Sequence, residues 1–348
     1  EKWLLDLVAL GTVCDIVTLA DENRANVYWG LEVLKKQRRP GLKALMSVAG
    51  IEPEKVNARH LGFGLGPRMN AAGRLETAQY ALDMLTASDG LEALEASEKL
   101  EELNIKRRSI QDKIFDEACQ QADNMINDRV LVVNSDNWNH GVIGIVASKL
   151  VEKYKKPVFI IGERGDEATG SARSFGDFSA ADAVRAADDI IIKGGGHGAA
   201  AGVTLATERI DDFRRRVNEF YDSLQLKNQE LYLLPRADVE IDDFSEINEE
   251  LVDNLAKMEP FGNGNAEPVL KITKATVLSV RRMGVDGQHV KLTLRDKNDV
   301  ALQMLAFNAP EEFFREVGDE VSAWFQPTVN EWQGMKSVEG RLLHLSEI

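Results

Sequence analysis

The chain has 348 residues, of which 44% are hydrophobic and 28% charged, and its formal net charge is −15. That length predicts two or three domains rather than one, and the composition is that of an ordinary soluble protein. No apolar run approaches the roughly 18 residues that cross a bilayer, so no membrane attachment is expected. The opening Glu1-Lys2-Trp3 lacks a secretory succession of basic, apolar and small residues, and its start without Met reads as a fragment or a processed product. Cys14 and Cys119 have no C-x-x-C partner, which suits reduced thiols and a cytoplasmic location.

An acidic total excludes nucleic acid only if the charge is evenly spread, because phosphate binding needs local cations. Here it is uneven. Residues 237–260 hold nine Asp/Glu against one Lys, and residues 271–297 hold seven Lys/Arg against two Asp. A basic groove on an acidic chain is therefore compatible with the sequence.

In chain order, residues 4–19 form an apolar segment broken by Gly11 and carrying one acid, Asp15. A carboxylate in an apolar run is costly unless paired or metal-bound. A helix cap or a buried hydrogen bond explains it as readily as a hard ion such as Mg²⁺ or Mn²⁺. Residues 24–37 and 41–49 show helical spacing of apolar residues, separated by Pro40-Gly41. The run from Leu61 to Arg74 is too glycine-rich for an ordinary element. Within it Arg68, Asn70 and Arg74 flank small residues that would let a backbone approach a ligand, and arginine forks suit phosphate oxygens. A tight turn with surface arginines is the equal alternative.

From about 90 to 126 the spacing predicts one long helix. Leu100, Leu103, Ile110, Ile114, Ala118 and Met125 recur at three- and four-residue intervals, with no Pro or Gly to interrupt them. Such a helix would be on the order of 50 Å long and reads as a strut between domains. Residues 129–225 alternate short β-like runs with helical ones, which predicts an α/β domain. Three motifs lie in it. Asn137-Trp-Asn-His140-Gly-Val-Ile-Gly144 opens a helix after a strand, where backbone N–H groups could meet an anion. Trp138 could stack a base, although a lone Trp is more often core and a lone His more often capping or buried. Gly170-Ser-Ala-Arg173-Ser174 sets Ser171 and Arg173 among small residues, which favours phosphate contact. Lys193-Gly-Gly-Gly-His197 places Gly194, Gly195 and Gly196 before His197, as a loop that a polar ligand could approach closely. It matches neither a Walker loop nor a dinucleotide fingerprint. Residues 236–260 read as an acidic lead-in. From 268 to 346, β-rich runs at 269–272, 275–281, 288–295, 300–306, 320–326 and 337–345 suit a small antiparallel barrel such as an OB-fold.

Taken together and in this order, the motifs resemble the RecJ family of single-strand-specific exonucleases, within the DHH phosphoesterase superfamily. Ala-Leu-Gly-Thr-Val-x-Asp15 resembles the fourth motif of the DHH domain, and the segment ending at Arg74 resembles the family's linker-side phosphate region. The His140, Arg173 and His197 motifs resemble the DHHA1 domain. Glu259-Pro-Phe-Gly-Asn-Gly-Asn-Ala-Glu-Pro268 resembles the entry to the RecJ OB-fold, with Ala266 where the family usually has Pro. The resemblance implies an α/β architecture: the C-terminal part of a DHH domain (1–86), a long connecting helix (87–127), an α/β DHHA1 substrate-binding domain (128–232) and an OB-fold with its acidic lead-in (233–348).

It also implies a two-metal, Mn²⁺- or Mg²⁺-dependent exonuclease of DNA repair and recombination. Such an enzyme degrades single-stranded DNA from a 5′-phosphate, with single-strand-binding protein and a helicase as possible partners. On this resemblance Asp15 is a metal ligand and Arg74 anchors the 5′-phosphate. Ser171, Arg173, His140 and the Gly194–His197 run hold DNA near the cleavage point, and His289 and Lys291 contact the strand on the barrel. The family's Asp-x-Asp, its further Asp and its Asp-His-His are absent, and no two of the five histidines are adjacent. The chain alone is therefore expected to be inactive as a nuclease. Two other classes compete: a DHH/DHHA1 phosphodiesterase of short oligonucleotides or cyclic dinucleotides, which the long helix and β-rich C-terminus argue against, and a non-catalytic single-strand-binding relative.

Overall fold

The computed structural model describes residues 1–226 and 229–348. They fold as two compact units. One comprises Glu1–Val33, Asn57–Arg59 and Leu234–Ile348, the other Leu34–Val56 and His60–Leu233. No helix among the described residues is long and apolar enough to cross a membrane.

The chain opens in the first unit with α1 (Leu5–Cys14) and α2 (Asp21–Leu34). Gly30 lets them pack closely, since a Cβ there would lie 2.2 Å from the Leu5 carbonyl oxygen. The second unit begins with α3 (Pro40–Val48) and a short π-helical stretch, His60–Leu65, that runs directly into α4 (Gly66–Leu75). The glycine-rich run is thus helical rather than a loop. Pro67 occupies the first turn of α4, where its missing N–H costs nothing. Buried Gly66, Ala71 and Ala72 let α4 lie close to its neighbours.

After α5 (Gln79–Thr86) comes α6 (Gly90–Asn124), 35 residues long. Asp89 caps it by accepting from the backbone N–H groups of Leu91 and Glu92. Its buried stripe runs Ala93, Ser97, Leu100, Asn104, Arg107, Gln111, Ile114, Ala118 and Ala122, at steps of three and four residues. The α3, α4, α5 and α7 helices all pack on α6, which makes it the spine of the second unit.

The α/β part follows as β1 (Leu131–Ser135), α7 (His140–Tyr154), β2 (Val158–Arg164), β3 (Glu167–Arg173), α8 (Ala180–Arg185), β4 (Ile191–His197), β5 (Ala200–Ala206) and α9 (Ile210–Ser223). The strands form one mixed sheet in the order β1-β2-β3-β5-β4; β1 and β2 are parallel and the other pairs antiparallel. Alternation of side chains sends Val132, Phe159, Ile161 and Val203 into a core with α8 and α9. On the opposite face Leu131, Val133, Val158 and Ile160 pack on α6 and α7.

The first unit is completed by β6 (Val239–Ile241), α10 (Glu249–Ala256), β7 (Leu270–Met283), β8 (His289–Arg295), β9 (Ala301–Ala306), β10 (Glu320–Trp332) and β11 (Met335–Glu347). Pairing runs β7-β8-β9-β11-β10 and closes with β10 on β7, which makes a five-stranded barrel. The two runs expected at 269–272 and 275–281 are one strand. Its first half pairs with β10 and its second with β8, so closure of the barrel requires it to be long. The lead-in also holds α2: Arg24 donates to the carbonyls of Lys257, Met258 and Glu259, just past the end of α10, where a cation is favoured.

Candidate functional site

The site is built in the second unit, where α4, α7 and β3 meet. Gly141, in the first turn of α7, faces the end of α4: a Cβ there would stand 2.2 Å from the Arg74 carbonyl oxygen. In return the Arg74 guanidinium donates to the Gly141 carbonyl at 2.9 Å. One turn along, a Cβ on Gly144 would lie 3.1 Å from Ser171 Oγ and 3.4 Å from Arg173 Nη2. Two glycines on one face of α7 thus admit an arginine from the end of α4 and an arginine and a serine from the sheet beneath.

The sheet register explains what surrounds them. Ser171 and Arg173 oppose Ile160 and Val158 across the ladder, so they emerge on the α7 face. Beyond them, Gly202 opposes Ser171 and Gly195 opposes Gly202. Ala200 opposes Arg173 and His197 opposes Ala200. Helix α7 covers the start of this face. Its continuation across β5 and β4 carries Ala200, Gly202, Gly195 and His197, of which the last three are exposed, with Thr204 and exposed Lys193 farther along the same face. The result is a shallow shelf with small residues for a floor, Arg173 and Ser171 at one side and His197 at the other.

The arginines of the site share one property: among the described residues no carboxylate is bonded to Arg74, Arg107 or Arg173. Arg173 donates to Ser171 Oγ and to its neighbour's carbonyl, at 3.2 and 2.8 Å. Arg107, in the middle of the α6 stripe, donates to Gln111 Oε1 at 2.8 Å and Asn104 Oδ1 at 2.6 Å. Burial lowers the pKa values of Arg107 and Arg173; Arg108 and then Arg74 lower that of Arg107 further against an opposing effect of Asp112, and Arg74 lowers that of Arg173. Guanidiniums this basic remain charged. The shifts therefore record lost hydration first and repulsion between like charges second, and a bound anion would offset both.

Several expected site residues lie elsewhere or are otherwise engaged. Trp138 is 3% exposed, packed in the α6–α7 core, and its Nε1 donates to Glu117 at 2.8 Å. It is a core residue and offers no face to a base. The Gly141 N–H is taken by the Asn139 side chain, which caps α7, and so is not open to an anion. His140 lies over Gly162, beside the shelf, with Nε2 buried and without a hydrogen-bond partner. Burial, and then Arg164, lower its pKa. Arg68 is committed to Glu101 at 2.5 Å and to the Gly64 carbonyl, which docks α4 on α6. Asn70 is exposed on α4.

The run Gly194–His197 belongs to edge strand β4, not to a loop. Gly195 faces the shelf. Gly194 faces the α8 side, where a Cβ would strike Val184, and Gly196 has φ +154°. On the barrel, Lys291 is paired with buried Glu339 at 3.1 Å. His289 Nδ1 accepts from the Asn308 N–H at 3.0 Å, and its ring meets Phe307 edge-on.

Asp15 follows the last residue of α1 and is exposed, so the apolar run ends before the acid. No group of three or more His, Cys, Asp or Glu able to hold a metal exists among the described residues. A hard divalent ion takes six or more oxygen ligands, several of them carboxylates or waters. The residues present do not fit a two-metal centre.

Comparison with known proteins accords with the fold. Residues 127–223 match the DHHA1 domain and residues 237–344 the RecJ OB domain. The chain is 35% identical to the single-stranded-DNA-specific exonuclease RecJ of Bacillus subtilis over 337 residues, which are 96% of this chain and 42% of that protein. It is 32% identical to the RecJ of Dickeya dadantii, over 98% of this chain and 61% of that one. The chain is a RecJ homologue. The crystal structure of Thermus thermophilus RecJ in complex with Mn²⁺ superposes on all of it with a TM-score of 0.85 at 27% identity, using 50% of that chain. The complex of the same RecJ with Mg²⁺ gives 0.84. The chain thus spans about half the length of the RecJ proteins it matches.

The sequence reading missed Arg107. Its signal was present: apart from Ser97 the stripe on α6 is apolar except at three successive positions, Asn104, Arg107 and Gln111.

Proposed function

We propose that this chain is the strand-holding part of a RecJ-like exonuclease that degrades single-stranded DNA 5′ to 3′ in repair and recombination. The observation that carries the reading is the shelf: Arg74 and Arg173 free of carboxylates, Ser171 beside them, and a floor of Gly195, Gly202 and Ala200 over which a backbone can lie. In this reading Arg74 and Arg173 bind the terminal 5′-phosphate, Ser171 orients Arg173 and donates to a phosphate oxygen, and His197 contacts the next phosphate. Two divalent cations, Mn²⁺ or Mg²⁺, would supply an activated water and charge neutralisation in the whole enzyme. This chain contributes at most Asp15 to holding them, so it binds without cutting. A cytoplasmic location, and work alongside single-strand-binding protein and a helicase, belong to the same proposal.

The test is a binding and digestion assay on the pure chain. It should bind a 5′-phosphorylated single strand more tightly than a cyclic dinucleotide and leave the strand intact with Mn²⁺ present. Tight cyclic-dinucleotide binding without strand binding would select the small-substrate class instead, and Mn²⁺-dependent degradation of the strand would refute the claim of inactivity.

A further inference from the structure

A third arginine without a bonded carboxylate lies on α6, against the helices α4 and α7 that frame the shelf. Arg107 sits where three helices meet. The Arg68–Glu101 ion pair fixes α4 against α6. Leu75, next to Arg74, packs into the cluster that includes Ile110 and Ile114. Lys149 on α7 reaches Asp112 on α6 at 3.2 Å. Arg107 lies between those fixtures, 9% exposed.

A buried guanidinium is normally matched by a carboxylate, because an unmatched charge is costly to bury. Here the matching positions one turn either way are amides. Asn104 and Gln111 hold the head through their oxygens and leave its charge intact. Asp112, whose field also reaches Arg107, is engaged by Lys149. Arg108 is drawn to Glu101 at 3.6 Å, and Arg68 is paired with that same carboxylate. Glu101 thus serves two guanidiniums, and among the described residues Arg74, Arg107 and Arg173 are bonded to no carboxylate at all.

We propose that Arg107 is a positioning residue whose uncancelled charge tunes the shelf to a phosphate monoester dianion, the form of a strand's 5′ end, over the singly charged diesters within the strand. The inference rests on the reading of the shelf as a phosphate seat and adds its selectivity. Two guanidiniums suffice for a monoanion. A third, held back from direct contact by its amide clamp, adds attraction that grows with the second negative charge of the ligand. A monoester acquires that charge near pH 6 and a diester never does.

Two variants remove the charge by different routes. Arg107→Gln deletes it, and Asn104→Asp cancels it in place with a carboxylate of the same shape, so that the clamp persists and the helix junction is kept. The probes are a 5′-phosphorylated oligothymidylate and its 5′-hydroxyl counterpart, bound to the full chain between pH 5.5 and 7.5. The wild type should prefer the phosphorylated strand, and more strongly at pH 7.5 than at 5.5. Each variant should lose roughly tenfold of that preference at pH 7.5, as expected for one nearby charge in a partly shielded site, and should flatten its rise with pH.

A purely structural role for Arg107 would weaken both probes equally and leave the pH profile unchanged, which would overturn the inference. If Arg107→Gln does not fold, Asn104→Asp decides by the same criteria. A wild type that binds both probes equally would instead refute the phosphate seat itself, and the inference with it. A wild-type preference kept in full by the variants would leave the seat standing and remove Arg107 from it.

Discussion

His140 shows how one residue can be close to a site and still be governed by packing. Its ring covers Gly162, Nε2 has no hydrogen-bond partner, and burial together with Arg164 holds its pKa below the ordinary value. The unfolded chain therefore takes up a proton at higher pH than the folded chain does. Its contribution to stability is fully present above the ordinary histidine value, about pH 6.5, and is lost as the pH falls through the folded value. The urea midpoint should accordingly drop between pH 7 and 5, and His140→Gln should make that drop smaller. An unchanged drop would show that the buried imidazole is not a source of the acid sensitivity. His344, also lowered by burial, remains in the variant and accounts for part of what persists.

At the scale of elements, the long helix and the barrel strands were legible because periodicity encodes them directly. The α6 stripe repeats at three and four residues, and the barrel strands alternate. The glycine-rich runs were not legible. Glycine content signals a loop, yet His60–Leu75 is helical and Lys193–His197 is an edge strand. In both, glycine answers to a neighbouring element that the local sequence does not contain. The same is true of Trp138: its motif resembles a binding motif, but its partner Glu117 lies 21 residues earlier on α6. Of the candidate site, Arg74, Ser171, Arg173, Gly195 and His197 were anticipated from the residues, and the sheet register explains why the last four share a face.

Two glycines of the site should therefore differ in what their substitution does to stability. Gly141→Ala places a Cβ against the Arg74 backbone, which has no flexible end to yield, so α4 must shift from α7. A loss of about 1–3 kcal/mol in urea unfolding is expected, together with weaker strand binding. Gly195→Ala meets nothing within 4 Å. It should leave stability within about 0.5 kcal/mol of the wild type and yet weaken strand binding, because the new methyl stands on the shelf floor. Equal stability in both variants would contradict the docking geometry, and full binding by Gly195→Ala would remove that residue from the floor.

For the whole molecule, the net charge of −15 and a phosphate-binding role are reconciled by placement. The barrel unit carries both the acidic lead-in and the basic stretch 271–297, where Lys271, Lys274, Arg282, Lys291, Arg295 and Lys297 are each paired with an acid. The three arginines at the α4–α6–α7 junction have no such partners among the described residues. Local unpaired charge, rather than the total, is what salt competes with.

The most direct measurement is the affinity of the pure chain for a 5′-phosphorylated single strand as a function of salt, in the wild type and in Arg173→Ala. Binding should weaken with salt. Arg173→Ala should weaken it further, by roughly tenfold at moderate salt, and make the log–log slope shallower by about 0.7, the value for one phosphate contact on a single strand. An Arg173→Ala chain with the affinity and salt slope of the wild type would contradict the assignment of the shelf as the place where the strand is held.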